Sequence, residues 1–142
     1  MADLFSVSAS GMEAQRFRMN IIASNLANVE TTRTESGGAY RRKDIVFAAQ
    51  GEGGFGGVLQ KAMDSAAPGV KVAGVIEDAR PLKQVYEPAH PDADANGYVA
   101  FPNINVAEEM VNMIAASRSY EANVSAFKAT REMALKALEI GQ

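Results

Sequence analysis

Phe5, Met12, Met19 and Leu26 recur every seven residues near the start of this chain, with Ile22 and Val29 at intervening positions. Near its end, Val106, Met110, Met113, Tyr120, Val124, Phe127, Ala134 and Leu138 follow the same alternation of three and four. This spacing lines each group along one side of an α-helix. A helix with a narrow apolar seam needs a partner along its length. Two such helices in 142 residues restrict the chain to folds whose ends meet each other, another subunit, or both. The expected class is α+β. Long N- and C-terminal amphipathic helices (1–32 and 105–142) pair as a coiled-coil-like bundle with one shared core, and a small β-rich module occupies 33–104.

The two helices are marked differently. In the first, Ser8 and Gln15 occupy seam positions where a strong coiled coil would place aliphatic residues, and Asn25 and Asn28 weaken its end. In the second, Asn105 is placed to cap the start, with Glu108 three residues later in a capping-box-like pattern. Glu108 and Glu109 suit the positive end of the helix dipole. A helix from Val106 to Ile140 would be on the order of 50 Å long, more than the middle module can cover. Within that module, Tyr40–Phe47, Val70–Ile76, Leu82–Tyr86 and Tyr98–Phe101 are strand candidates. Asn96-Gly97 reads as a hairpin turn. A glycine-rich loop, Gly51 to Gly57, interrupts the series.

Composition narrows the function classes. A formal net charge of −3 lacks the basic surplus of nucleic-acid binders. No apolar run approaches the ~18 residues that span a bilayer. The chain has no Cys, so disulfides and thiolate metal sites are excluded. Met1 to Gln15 carry Asp3 and no basic n-region before an apolar core, so no cleaved secretory signal is expected.

The short motifs carry little chemistry. Gly51, Gly53 and Gly56 match G-x-G-x-x-G, but no βαβ unit surrounds them. Asp92, Asp94, Asn96 and Gly97 match half of a calcium loop. Asn103 stands where the bidentate Glu belongs, and Pro91 stands where a helix should enter. His90 is the single histidine; without Cys or a second His it reads as a loop residue. Arg41-Arg42-Lys43 reads first as a solvated strand edge and second as a contact for an acidic partner. No cofactor, metal or catalytic group is expected. A helical adaptor or chaperone binding one partner, and a hydrolase using His90 with Asp92 or Asp94, are the alternatives from other classes.

Longer strings are more specific. Ser10-Gly11-Met12-Glu13-Ala14-Gln15-Arg16, followed by Ala23-Ser24-Asn25-Leu26-Ala27-Asn28-Val29-Glu30-Thr31-Thr32, resembles the N-terminal signature of the flagellar rod and hook axial proteins. Glu30 stands where many of those proteins have Asn or Asp. Asp78 to Pro81, Val85 to Ala93, Gly97-Tyr98-Val99, Pro102 to Asn105, Glu109-Met110-Val111 and Ser117 to Asn123 are similar to the proximal-rod members of that family. The resemblance covers nearly the whole chain except about Gln50 to Pro68. It implies a non-enzymatic structural subunit of the flagellar basal-body rod, lying in the periplasm and exported by the flagellar type III apparatus without N-terminal cleavage. It implies terminal helices forming a tube around the export channel, with other rod proteins and further copies as partners and with neither nucleic acid nor membrane insertion. The expected interface comprises Phe5, Met12, Met19, Ile22, Leu26 and Val29 on the first helix, and Met110, Met113, Tyr120, Val124, Phe127 and Leu138 on the second. His90 and Tyr98, in the proline-rich segment, are expected to contact adjacent subunits.

Overall fold

The computed structural model describes residues 2–49 and 69–140. Helix α1 (Ala2–Ala27) is followed by strands β1 (Lys43–Ala49), β2 (Val70–Glu77), β3 (Lys83–Tyr86) and β4 (Tyr98–Phe101), then helix α2 (Val106–Ile140). The protein is α+β, with two long helices and small antiparallel sheets between them. Neither helix is apolar enough to cross a membrane. The expected glycine-rich motif at Gly51, Gly53 and Gly56 lies outside the described residues.

The helices run antiparallel. Phe5 meets Phe127 edge to face at 5.1 Å between ring centroids, and Asn25 bonds Glu109 near the other end. Between these points Gly11 allows close approach: a Cβ there would stand 3.0 Å from the Asn123 side chain. At 1.5 Å per residue, α1 is about 39 Å long and α2 about 52 Å. With Phe5 opposite Phe127, the last turns of α2 have no α1 turn beside them among the described residues.

Both helix ends are set by side chains. The Ser24 carbonyl accepts the backbone N–H of Asn28 and its Nδ2, which closes α1 before the chain turns. Asn105 Oδ1 accepts the N–H groups of Ala107 and Glu108 at the start of α2, satisfying donors that have no partner within the helix.

The middle forms two separate two-stranded ribbons, β1–β2 and β3–β4. The first lies against α1, so α1 is packed on two sides and the ribbon's Val70 N–H reaches Ser10 Oγ. Its register slips between Val46 and Phe47, which pair with Gly74 and Val72 and leave Ala73 as the extra residue. Alternation is therefore broken, and Val70, Val75 and Ile76 are exposed. In the second ribbon Tyr86 pairs directly with Tyr98. The connection is thus a long loop, not a two-residue Asn96-Gly97 hairpin. Asp94 organises its end: the Asp94 carboxylate accepts the N–H groups of Asn96 and Tyr98. Gly97, at φ +80°, closes the turn where a Cβ would come within 2.9 Å of the Tyr86 ring.

Candidate functional site

Three segments distant in sequence converge where α1 ends and α2 begins. Asn25, fully buried, donates from Nδ2 to the Lys43 carbonyl (2.8 Å) and to Glu109 Oε2 (3.0 Å). Its Oδ1 accepts the Lys43 N–H (2.9 Å) and the Tyr40 hydroxyl (3.2 Å). All four hydrogen-bonding positions of the amide are therefore filled. Glu109, also fully buried, receives Arg42 Nε at 2.7 Å on its other oxygen.

Arg42 then spreads outward. Its Nη1 donates to Asp44 Oδ2 at 2.9 Å and lies 3.7 Å from Asp78 Oδ2. Its own N–H donates to Asn103 Oδ1, and its carbonyl accepts the Asp78 N–H. Arg80 holds Asp78 through two guanidinium nitrogens and reaches toward Glu108 at 3.7 Å. Burial pulls the Arg42 guanidinium down, but the bonds to Asp44 and Glu109 outweigh it and hold the group above its ordinary value. Burial pushes the Asp44 carboxyl up, yet the Arg42 and Ile45 hydrogen bonds leave it below its usual range. Arg80 draws Asp78 down likewise. A network this well satisfied joins the helix pair to the β module at a defined angle.

Several of these residues read otherwise in the sequence. Arg42 is buried and paired, not part of a solvated strand edge. Asn25 knits the end of α1 to its surroundings, although by propensity it merely weakens a helix. Glu109 lies in the core of the junction, not only near a helix dipole. Periodicity marks none of the three, because an apolar pattern is blind to polar groups that bury by satisfying one another.

The seams show the same gap. Ile22 is buried, and Phe5, Met12, Met19, Leu26 and Val29 are half-buried. On α2, Met113, Tyr120, Val124 and Phe127 are half-buried, but Val106, Met110 and Leu138 are exposed. The most buried α2 positions are Glu109, Ala116 and Thr130, whose side chains are small or polar. The face packed on α1 is thus rotated from the one that apolar spacing alone selects. Met110, Val111 and Ile114, at 55%, 65% and 54% exposure, form an apolar stripe on the uncovered side. At the other end Met133, Leu135 and Leu138 (70% exposed) lie beyond α1 and are exposed among the described residues.

The proline-rich loop is tied internally. His90 Nδ1 accepts the Asp92 N–H at 3.1 Å, and its ring packs near Phe101. Asp92 receives Thr32 Oγ1 at 2.8 Å. Tyr98 is exposed and lies edge-on to Tyr86 at 5.3 Å. Among the described residues no group of three or more His, Cys, Asp or Glu side chains is placed to hold a metal ion.

Comparison with known proteins adds sequence relatives to this geometry. The family model described as "Flagella basal body rod protein" matches residues 5–33. That described as "Flagellar basal body rod FlgEFG protein C-terminal" matches residues 95–140. The flagellar basal-body rod protein FlgC of Bacillus subtilis is 45% identical over 144 residues, covering 96% of this chain and 95% of the relative. FlgC of Salmonella typhimurium is 44% identical over 142 residues, covering 100% of this chain and 98% of its own. FlgC of Borreliella burgdorferi is 44% identical, with 96% and 95% covered. The two matched segments are those that carry Asn25 and Glu109.

Proposed function

The chain belongs to the FlgC family of flagellar basal-body rod proteins and is a structural subunit of that rod; we propose that it assembles there through the unfinished faces of its terminal helices. In this reading segments 1–32 and 105–142 form one body in the wall of a tube that transmits torque and encloses the export channel. Segment 33–104 projects from that body. The subunit lies in the periplasm, reaches it through the flagellar export apparatus with its N-terminus uncleaved, and carries no catalytic role. Its partners are other rod proteins and further copies of itself. His90 and Tyr98, in the proline-rich segment, would contact an adjacent subunit.

The observation that carries this reading is the uncovered stripe of Met110, Val111 and Ile114. Among the described residues α2 is covered by α1 on one side only, and it so retains apolar surface that a neighbour can bury. Burying each such side chain contributes roughly 1.5–3 kcal/mol, and repetition along a polymer stiffens the whole. Replacing Met110 and Ile114 together by Glu is expected to leave the isolated subunit folded, because both positions are exposed. The variant should be missing from purified basal bodies and should leave cells non-motile when it is the sole copy. Normal incorporation and swimming would refute the assembly role of this face.

A further inference from the structure

Asn96-Gly97 is the one asparagine–glycine pair in the chain, and each of the other asparagines precedes Ile, Leu, Val or Met. Asn96 is exposed on the loop between β3 and β4. Such a pair has a chemistry of its own. The backbone nitrogen of the glycine attacks the side-chain Cγ of the asparagine. A new N–C bond forms, the Cγ–Nδ2 bond breaks, ammonia leaves, and a five-membered cyclic imide results. Solvent water then adds to either imide carbonyl and opens the ring, giving aspartate or isoaspartate. Glycine speeds ring closure because no Cβ crowds the attacking nitrogen. The branched or long side chains after the other asparagines slow it. The fold cannot exchange this glycine for a slower neighbour: Gly97 has φ +80°, and a Cβ there would stand 2.9 Å from the Tyr86 ring and 3.1 Å from Pro88 Cβ.

The folded turn opposes this reaction. The Asp94 carbonyl accepts the Gly97 N–H at 3.0 Å, and the Gly97 carbonyl accepts the Glu87 N–H at 2.9 Å. The first bond closes a four-residue turn in which neither Ala95 nor Asn96 has a positive φ. The turn is therefore type I, with ψ at Asn96 of about 0°. At that angle the Gly97 nitrogen is rotated away from the Asn96 Cβ, whereas the imide ring needs the two nearly eclipsed. Asp94 Oδ1 holds the angle by accepting the N–H groups of Asn96 at 2.8 Å and Tyr98 at 2.9 Å. The Asp94 N–H in turn donates to the Tyr98 carbonyl at 2.8 Å. We propose that Asn96 is a site of spontaneous deamidation to aspartate and isoaspartate, restrained by the Asp94-anchored turn, so that the chain is modified while the turn is open and protected while it is closed. A group shielded in this way reacts at a rate set by the free energy of local opening. Isoaspartate routes the main chain through the former side chain, which adds one methylene between residues 96 and 97 and leaves a second carboxylate beside Asp94. The Asn96 and Tyr98 N–H groups then no longer converge on one oxygen, and the connection between β3 and β4 loses its clasp.

The test uses the purified full-length chain, incubated in mildly alkaline buffer either folded or in guanidinium chloride. After the denaturant is removed, isoaspartate is read by isoaspartyl methyltransferase labelling and located by peptide mass spectrometry. The first modification is expected at Asn96, about tenfold or more slower in the folded chain than in the denatured one. Asp94→Ala removes the anchor and should raise the folded-chain rate about fivefold. Asp94→Asn keeps an acceptor oxygen and should stay close to the unsubstituted chain. Equal rates in the folded and denatured chains would overturn the proposal, as would a first modification at any other asparagine. So would an Asp94→Ala chain that keeps its circular dichroism and its slow rate. If Asp94→Ala does not fold, the folded and denatured rates of the unsubstituted chain decide the matter alone.

Discussion

The junction end of the helix pair and its far end are built on opposite principles. At the junction Asn25, Arg42 and Glu109 are buried, charged or polar, and bonded to one another. At the far end Phe5 and Phe127 make an apolar contact and Met133, Leu135 and Leu138 lie bare, while midway along the seam Gln15 keeps a buried Oε1 with no partner among the described residues. The polar network of the first region is complete within one chain, although Met110, Val111 and Ile114 stay exposed on the outer side of the same α2 turns. The second region leaves surface unused, and the seam between the two leaves bonding capacity unused. A buried ion pair demands defined geometry, since a misplaced partner leaves a desolvated charge, so it suits the place where three segments must keep a fixed angle. Apolar surface is tolerant of exact placement and suits the contacts a subunit makes later.

The contrast can be broken from either side. Glu109→Ala should have the largest effect: it strips a buried partner from Arg42 and an acceptor from Asn25. Arg42 keeps Asp44 and Asp78 nearby, so the loss should fall near the low end for such disruptions, about 3 kcal/mol. Urea denaturation would measure it; a change below about 1 kcal/mol would mean the junction does not organise the subunit. Gln15→Met tests the seam between the two ends in the opposite direction. Removing an unsatisfied buried oxygen while keeping the side chain's length should stabilise the free subunit by about 1 kcal/mol, again read by urea midpoint.

Acid should act most weakly, through the rim of the junction. Asp44 and Asp78 have folded values below their ordinary 3.8. Their contribution is therefore fully present above about pH 3.8 and is lost as pH falls through the lower folded values. The Asp44 carboxylate is partly open to solvent, which screens its share. A thermal-unfolding series from pH 6 to pH 2.5 should show a midpoint that is flat at first and declines below about pH 4. In Asp78→Asn the decline should be shallower.

Much of the architecture was legible before any coordinates. The seven-residue recurrence announced both helices, and Tyr98–Phe101 was marked as a strand by its β-branched and aromatic residues between turn signals. Asn105 showed itself as a cap. The register slip at Ala73 left no local trace, and the Asn96-Gly97 pair suggested a tighter hairpin than the one formed. Asp94 and the packing of Gly97 under Tyr86 decide that turn, and both depend on what the loop meets.

The sequence by itself determined that two amphipathic helices bracket a β-rich middle, because side-chain spacing and helix pitch are local properties of the chain. Its long strings also pointed to the rod and hook proteins. Only the tertiary structure decided which side of α2 faces α1, and so which apolar residues stay bare. It alone showed that Arg42, Asn25 and Glu109 belong together. A buried polar group is stable only when its partners arrive from elsewhere in the chain, and no window of sequence contains both halves of that bond.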